Sequence, residues 1–444
     1  MSHLSASRSM PDSAGKAERI RAALPEGGLF AEKSWRISPE PFVLTRGEVR
    51  QLSALGPMLL KYQRACDLLY RRSRSGTMPG WVSGYLDRGK PAGLLEAGLA
   101  PATLAETPRV IRPDLILTSD GFCAVELDSV PGGIGLTAWL GELYAGLEPG
   151  HRIVGGARGM VDGFGSILDG GGADIAVSRE ASDYRPEMEW IAGRLSGDWR
   201  VCEAESYEVS GREVYRFFEL FDLPNLPGGR AAMEAAAAGE IAVTAPFKPW
   251  LEEKLWSALL WSRPLRDFWR RELRDANWQR LRALFPQSWV VDPAEVPHHA
   301  VIPGLEIGSF EELKGFSQTE RELVLKLSGY NERAWGSRSV TVGQDASQTE
   351  WTAAVDEAVA SFDTAPYVLQ RFRSGRLVRH PWWNEETGRI EEMEGRVRLC
   401  PYYFVSATGG QVSLGGVLAT ICPSDKKILH GMSDAVLVPC REED

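Results

Sequence analysis

Cysteine, histidine and long apolar runs are scarce in this sequence. Its six cysteines are scattered, without a C-x-x-C pair or the spacing of a metal site, which disfavours a disulfide framework and favours the reducing cytoplasm. Of its six histidines only His298 and His299 are adjacent, and no third metal ligand stands near them. Because no run of about 18 apolar residues is present, no membrane-spanning helix is expected. The polar N-terminal residues lack the apolar core of a signal peptide.

Positive charge is also in deficit. Lysine and arginine number 50 against 60 acidic residues, which gives a net charge of −10, so neither a nucleic acid nor an anionic membrane is expected as the main partner. No Gly-Lys-Ser/Thr sequence ends a glycine-rich stretch, which excludes a Walker A loop. A hydrophobic fraction of 43% over 444 residues is typical of a globular protein with two or three domains.

Hydrophobic periodicity and turn residues predict the order of elements. Helices are expected over residues 45–70, 90–105 and 250–261. Strands that alternate with a helix predict a small parallel α/β unit over residues 171–245, and mainly strands follow from residue 323. The sequence therefore predicts a mixed α+β or α/β fold.

The most informative segment is a predicted acidic hairpin at residues 109–128. Two apolar runs meet at an Asp-Gly turn, and Arg112, Asp114, Glu126 and Asp128 interrupt them. Because side chains two apart on a strand share a face, the hairpin sets the two pairs side by side. Three carboxylates beside a guanidinium suit a hard divalent cation. A solvated strand face with an ordinary ion pair is the alternative, although unpaired carboxylates in apolar strands are costly.

A lysine in an apolar strand marks a second candidate site. Lys326 stands within the run Leu323–Leu327, and a buried lysine needs an anionic partner. The loop 328–338 after it carries glycines and two arginines, as a flap over phosphates would. A structural ion pair is the open alternative for Lys326. Farther on, Gln370 ends a strand and could meet an adenine edge. Arg396 or Arg398 could reach a triphosphate, or could belong to a solvated strand face.

These segments together resemble a known family. Lys254 on a predicted helix, Lys326 before a flap, and Gln370 at a hinge resemble the nucleotide half of an ATP-grasp ligase. The acidic hairpin precedes the lysines, and this order resembles the permuted ATP-grasp arrangement of the glutathionylspermidine synthetase family.

The match to that family's metal motif is close but incomplete. The motif reads R-x-D, then E-x-N followed by Asp-Thr-Pro. Arg112, Asp114 and Glu126 match it, whereas Asp128 stands in place of the asparagine. The flap also departs from the family, because Tyr330 and Trp335 are bulky where the family has small residues.

The resemblance implies both architecture and chemistry. It implies a permuted ATP-grasp core with a small parallel α/β domain and an N-terminal helical region. The activity would be that of an ATP-dependent and Mg²⁺-dependent ligase, which joins a carboxylate to an amine through an acyl phosphate. The expected partners are small carboxylate and amine substrates in the cytoplasm. The chain would divide into an N-terminal tail and helical region (1–105), a metal-binding part (106–170), a small α/β domain (171–245) and a nucleotide-binding part (246–444).

The same resemblance assigns roles to individual residues. Arg112 would be catalytic, at the transferred phosphoryl group. The remaining expected residues are Lys254, Lys326, Glu332, Gln370, Phe372 and Arg398 for ATP, Asp114, Glu126 and Asp128 for Mg²⁺, and Pro131, Gly132 and Gly133 for the substrate carboxylate.

Two other interpretations stay open. One is a non-catalytic ATP-grasp relative that acts as an ATP-binding or assembly partner. The other is a dinucleotide-binding oxidoreductase, suggested by the glycines of residues 155–159 and 163–165. Neither stretch has the full G-x-G-x-x-G spacing after a clear strand.

Overall fold

A computed structural model describes most of the chain. Part of the predicted N-terminal tail and the flap residues Trp335 to Arg338 lie outside the described residues. The residues described are 10–25, 34–169, 171–334, 339–429 and 434–444.

Helices account for much of the first three hundred residues. The helix α2 begins with a capping box, in which Thr45 and Glu48 each bond the other's backbone. None of the helices among the described residues is long and apolar enough to cross a membrane. The helices are α1 (Met10–Ala22), α2 (Arg46–Arg74), α3 (Trp81–Leu86), α4 (Ala92–Gly98), α5 (Ile134–Leu147), α6 (Gly159–Gly165), α7 (Arg185–Ala192), α8 (Pro227–Ala238), α9 (Leu255–Leu259), α10 (Arg266–Leu273), α11 (Asp275–Leu284) and α12 (Gln348–Ala360).

Strands dominate the last third of the chain, as the sequence predicts. Short 3₁₀ helices, among them Pro249–Glu252 and Glu332–Ala334, connect some elements. The strands are β1 (Phe42–Leu44), β2 (Val110–Thr118), β3 (Gly121–Asp128), β4 (Asp174–Val177), β5 (Arg200–Glu203), β6 (Val214–Phe217), β7 (Val243–Thr244), β8 (Ser288–Val290), β9 (Leu323–Leu327), β10 (Val340–Val342), β11 (Tyr367–Arg371), β12 (Leu377–Asn384), β13 (Arg389–Val405), β14 (Val412–Pro423) and β15 (Val436–Glu442).

The described strands form three sheets. The largest has the order β1-β15-β14-β13-β2-β3, with β12 also paired to β13. The second is antiparallel, with the order β10-β9-β11-β8. The third has the order β5-β4-β6-β7 and is parallel throughout. The mixed α/β fold and the parallel unit predicted over residues 171–245 are therefore confirmed, while the domain boundaries stay a prediction.

The acidic hairpin is confirmed as β2 and β3. Arg112 pairs with Asp128 and Asp114 with Glu126 across the two strands, and the register shifts directly after Asp114. Because β2 also pairs with β13, the hairpin lies at the edge of the largest sheet, where its polar residues can face the other sheets.

The prediction of one continuous helix over residues 250–261 is wrong, because the segment forms two short helices. Glu253 has an extended backbone, which separates the 3₁₀ helix before it from α9. Its buried carboxylate pairs with Lys90 and accepts from the Gly329 amide at 3.0 Å, and these tertiary contacts break the helix. Lys254 therefore precedes α9 as its N-terminal cap residue and does not lie inside a helix.

Candidate active site

A cavity of about 820 Å³ receives side chains from all three sheets. Ile116 comes from the largest sheet, Val324 from the second and Phe217 from the parallel sheet. Of the predicted site residues, only Glu332 and Pro131 are absent from its wall. Those that line it are Arg112, Asp114, Glu126, Asp128, Gly132, Gly133, Lys254, Lys326, Gln370, Phe372 and Arg398.

Asp114 is held between two arginines. Its Oδ1 accepts from Arg112 Nε and its Oδ2 from Arg398 NH1, each at 3.0 Å. The carboxylate is only 5% exposed. Burial alone would raise the pKa of Asp114, but the two guanidinium groups hold it below its usual range. Since both oxygens are engaged by cations, Asp114 is a poor metal ligand, and its main role here is to fix the two arginines.

Asp128 and Glu126 are placed differently. Asp128 accepts from Arg112 NH2 at 3.1 Å and from the Val130 amide at 2.9 Å. Burial, opposed by Arg112 but reinforced by Glu126, raises the pKa of Asp128. Glu126 pairs with Lys254 at 3.1 Å, and its side chain is 43% exposed. Glu126 is thus the most accessible carboxylate of the predicted trio.

The three-carboxylate cage expected from the hairpin is not formed in this arrangement. Within the described part of the chain, no group of three His, Cys, Asp or Glu side chains is arranged to hold a metal ion. Of the three hairpin carboxylates, Glu126 and Asp128 remain as donors, because Asp114 is held between two arginines. Oxygen donors of this kind fit Mg²⁺, which usually takes one or two carboxylates and completes its shell with water and phosphate.

Lys326 projects from β9 towards neutral acceptors. Its Nζ donates to the Val125 carbonyl at 3.0 Å and to Gln370 Oε1 at 2.9 Å. Burial lowers the pKa of Lys326, and the charge of Lys254 adds to this effect while Glu126 opposes it. The structural ion pair that was the alternative for Lys326 is absent among the described residues. The ammonium therefore lines the cavity without a bonded counter-ion.

Lys254 and Gln370 are both engaged inside the protein. Lys254 Nζ donates to the Ala334 carbonyl at 3.2 Å, besides its ion pair with Glu126. Gln370 is 3% exposed, and its amide donates to Ser288 Oγ at 3.3 Å. The prediction that Gln370 meets an adenine at a strand-end hinge is not supported, because both ends of its side chain already have partners.

Arg398 shows an unsatisfied donor. Its Nε is buried and has no hydrogen-bond partner in the described residues. Thr420 pairs with Arg398 across β13 and β14, lines the same cavity, and also has a buried hydroxyl without a partner. Buried polar groups are seldom left unpaired, so this wall of the cavity is suited to a polar ligand.

The glycine-rich loop is closely packed by protein, although Gly132 and Gly133 also line the cavity. A Cβ on Gly132 would lie 2.2 Å from the ring of Tyr184, and a Cβ on Gly135 would lie 2.5 Å from the Glu187 carbonyl oxygen. The buried Glu187 carboxylate accepts from the Leu136 amide at 3.1 Å. The start of α5 therefore already holds an internal carboxylate, and the expected approach of a substrate carboxylate to this helix end is not supported.

We predict that Gly135→Ala destabilises the protein by about 1–3 kcal/mol, because its methyl group would overlap backbone that cannot move without strain. Chemical denaturation would measure the change. Gly146→Ala is the matched control in the same helix, since nothing lies within 4 Å of its Cβ position. The control should be neutral or stabilising by up to about 1 kcal/mol. Equal stability of the two variants would contradict the packing role.

The glycines that suggested a dinucleotide site also pack against protein. Residues 155–158 lie between α5 and α6, and Gly159 begins α6, so this stretch follows a helix and not a strand. A Cβ on Gly155 would lie 1.9 Å from the Gly415 carbonyl oxygen, and one on Gly159 would lie 2.5 Å from it. The close approach that these glycines permit is made by β14, which leaves no room for a pyrophosphate.

Sequence reasoning missed an acidic wall at the carboxyl ends of the parallel strands. Ser178 follows β4, Glu219 follows β6, and both line the cavity with Glu252. In the order β5-β4-β6-β7, the chain adds β5 on one side of β4 and then β6 on the other side. Open parallel sheets bind ligands at such a switch in strand order, here between β4 and β6. The signal available in the sequence was Ser178 directly after the mainly apolar run 173–177 and Glu219 directly after Phe217 and Phe218.

Burial makes this acidic wall costly to ionise. It raises the pKa of Glu219, and the neighbouring Glu252 and Asp128 charges add to the effect. Burial also raises the pKa of Glu252, although Arg216 pairs with it and opposes the shift. A cationic ligand would relieve both. The cavity therefore has a cationic side at Lys326, Lys254 and Arg398, and an acidic side at Glu219 and Glu252.

Comparison with known proteins adds little beyond this geometry. No protein-family model matches the sequence, and no curated protein matches it. A glutathione synthetase-like effector from Globodera pallida shares 11% identity across 92% of this chain and 90% of its own, with a TM-score of 0.49. A Methylobacillus flagellatus protein assigned as a gamma-glutamylcysteine synthetase shares 10% identity across 88% and 87%, with a TM-score of 0.37. Likenesses this weak assign neither a family nor a function.

Proposed function

We propose that the protein is an ATP-dependent ligase that joins a carboxylate to an amine, with a permuted ATP-grasp core. The observation that carries the proposal is Lys326, a partly buried ammonium beside the cavity that has only neutral acceptors among the described residues. An anionic ligand would restore its pKa and offset its burial. The cavity of about 820 Å³ lies within the range of about 300–1,000 Å³ that holds nucleotide-sized ligands.

The phosphates of ATP would lie on the cationic side. Lys326 would contact them directly, and Lys254 would exchange Glu126 for phosphate oxygens. Arg398 lines this side of the cavity and would add its positive charge. Phe372 lines the cavity and can cover an aromatic base, whereas Gln370 would act by positioning Lys326. Glu332 is exposed and lies off the cavity wall, so it has no part in this proposal.

Mg²⁺ would be held by Glu126 and Asp128, the two carboxylates of the hairpin that are not held between two arginines. When bound, it neutralises phosphate charge that builds in the transition state. Asp114 is not included, because its oxygens hold Arg112 and Arg398.

Arg112 would stabilise negative charge on the carboxylate that is activated. Its Nε, NH1 and NH2 donate to Asp114, the Gly132 carbonyl and Asp128 at 3.0, 3.0 and 3.1 Å. A guanidinium has five N–H donors, so two remain for a substrate. Because its orientation is fixed before substrate binds, no reorganisation is needed as charge develops. Transfer of the γ-phosphoryl group of ATP to this carboxylate would release ADP and give an acyl phosphate; the amine would then attack its carbonyl carbon, and inorganic phosphate would leave.

The amine would approach from the acidic side. Glu219 and Glu252 line that wall, and their raised pKa values favour a ligand that brings positive charge. A carboxylate in this position can hold the ammonium form and then accept its proton, which leaves the free amine as the nucleophile.

The proposal is tested by Glu126→Gln. Wild-type protein should bind ATP tightly only with Mg²⁺ present, as measured by calorimetry. It should also release ADP when supplied with a suitable carboxylate and amine. The variant should lose most of the Mg²⁺ dependence and about 100-fold or more of turnover, because the accessible carboxylate is gone while the size is kept.

Three outcomes separate the alternatives. Unchanged Mg²⁺ dependence in Glu126→Gln would rule out its role as a ligand. Tight ATP binding without ADP release, across a screen of carboxylates and amines, would favour the non-catalytic ATP-binding relative. Tight binding of NAD(P) without any response to Mg²⁺ would favour the oxidoreductase.

A further inference from the structure

An arginine-rich helical hairpin stands apart from the cavity in an otherwise acidic chain. We call residues 263–284, which include α10 and α11, the arginine hairpin. It holds seven arginines against three acidic residues. Arg270 and Arg271 pair with Asp275 and Glu272. Of the hairpin's arginines, all within the described residues, five form no ion pair, namely Arg263, Arg266, Arg274, Arg280 and Arg282.

Two tryptophans, Trp261 and Trp278, contact the guanidinium groups at the centre of this surface. The Arg282 guanidinium lies 4.0 Å from the ring centre of Trp261 and 4.8 Å from that of Trp278. Arg266 lies 5.9 Å from the same Trp278 ring. Stacking on aromatic faces restricts both guanidinium groups, so less entropy would be lost when they bind a ligand.

The centre also lacks acceptors. Trp278 is 4% exposed, and its Nε1 has no hydrogen-bond partner among the described residues. The Arg282 Nε is buried and unpartnered in the same way. Burial and the adjacent Arg266 charge lower the pKa of Arg282. Both donors are enclosed by protein, so the exposed guanidinium groups around them are the ones that can contact an anionic ligand.

We propose that the arginine hairpin is a docking surface for an acidic peptide segment of another protein. One carboxylate of the segment would pair with Arg266, whose exposed guanidinium lies 5.9 Å from the Trp278 ring centre. Further acidic residues would pair with the exposed Arg263 and Arg280. Trp and Arg are the residues that dominate binding energy at such interfaces.

Charge favours a short peptide over a nucleic acid or a membrane. The whole chain carries −10, which repels a long polyanion or an anionic bilayer that extends past the patch. A short acidic segment is affected mainly by charges within about 8 Å at physiological salt. Guanidinium groups also pair with carboxylates through two parallel bonds.

The test measures binding of a fluorescein-labelled decaglutamate peptide by fluorescence anisotropy. Wild-type protein should bind it, and added salt should weaken the complex. The double variant Arg266→Gln/Arg280→Gln should bind about tenfold more weakly or worse. The matched control Arg379→Gln/Arg389→Gln removes two exposed arginines from β12 and β13 and should bind as wild type does.

Two results would overturn the proposal. One is equal affinity of the hairpin variant and the control variant. The other is preferential binding of a ten-nucleotide single-stranded DNA or of phosphatidylserine vesicles, with no binding of the peptide. Unchanged melting temperatures exclude misfolding as the cause of a loss. The hairpin variant should retain wild-type ATP binding, so the result is independent of the proposed ligase activity.

Discussion

Lys326→Met should lower the affinity for ATP by about a hundredfold or more, which corresponds to about 3 kcal/mol. Removing the ammonium takes away a desolvated phosphate contact that water cannot replace. The same substitution should raise the stability of the ligand-free protein, because the lowered pKa of Lys326 shows that its charge is disfavoured in the fold. Isothermal titration with ATP and denaturation without it would measure the two effects, which have opposite signs.

The pH dependence of stability gives an independent check. In wild-type protein the unfolded chain retains the Lys326 proton up to its ordinary value of 10.5, while the folded protein releases it at lower pH. Stability should therefore rise with pH between the lowered pKa and that value, and Lys326→Met should lack this rise.

Two variants control for charge and for general lysine loss. Lys326→Arg keeps a cation and should retain part of the affinity. Lys314→Met removes a lysine that pairs on the surface with Glu311 and Asp356, and it should bind ATP as wild type does. Wild-type ATP affinity in Lys326→Met would refute the phosphate contact.

Asp114→Asn should cost about 3–5 kcal/mol of folding free energy, because it leaves two partly buried guanidinium groups without their shared anion. Chemical denaturation would measure the loss. The depressed pKa of Asp114 adds an expectation for acid. The contribution of the carboxylate should be complete above the unfolded value of 3.8 and should disappear as pH falls through the lower folded pKa.

Asp120→Asn is the matched control, since Asp120 is exposed at the turn of the same hairpin and should change stability by less than about 0.5 kcal/mol. If Asp114 were a metal ligand, its substitution would affect Mg²⁺ dependence more than stability. Unchanged stability of Asp114→Asn, together with lost Mg²⁺ dependence, would return Asp114 to the metal site and contradict the arginine-anchor role.

The sequence predicted the elements of the site better than their contacts. Alternation and an Asp-Gly turn are local signals, so the β2–β3 hairpin and the pairing of Asp114 with Glu126 followed from them. Nothing local indicated that Arg398, almost three hundred residues away, would take the second oxygen of Asp114. The identity of an acidic residue does not reveal whether its carboxylate binds a metal ion or a guanidinium group.

The glycines illustrate the same limit. Their pattern correctly marked places of close approach, but the approaching group was hidden. At Gly135 it is the backbone of Glu187, and at Gly155 it is that of Gly415. Glycine records only that a Cβ would not fit, so the sequence could not distinguish a ligand from another part of the chain.

By itself, the sequence determined the mixed α/β character, the acidic hairpin and the presence of a lysine in an apolar strand, because each depends on residues close together in the chain. Only the tertiary structure decided which lysine and arginine side chains of the cavity form ion pairs and which do not. In the folded protein Asp114 pairs with two arginines and Lys254 pairs with Glu126. Lys326 contacts neutral acceptors in the cavity that also contains the acidic wall. Charges act through space over distances that the order of residues does not encode, so the cavity's two-sided electrostatics appears only when the sheets are assembled.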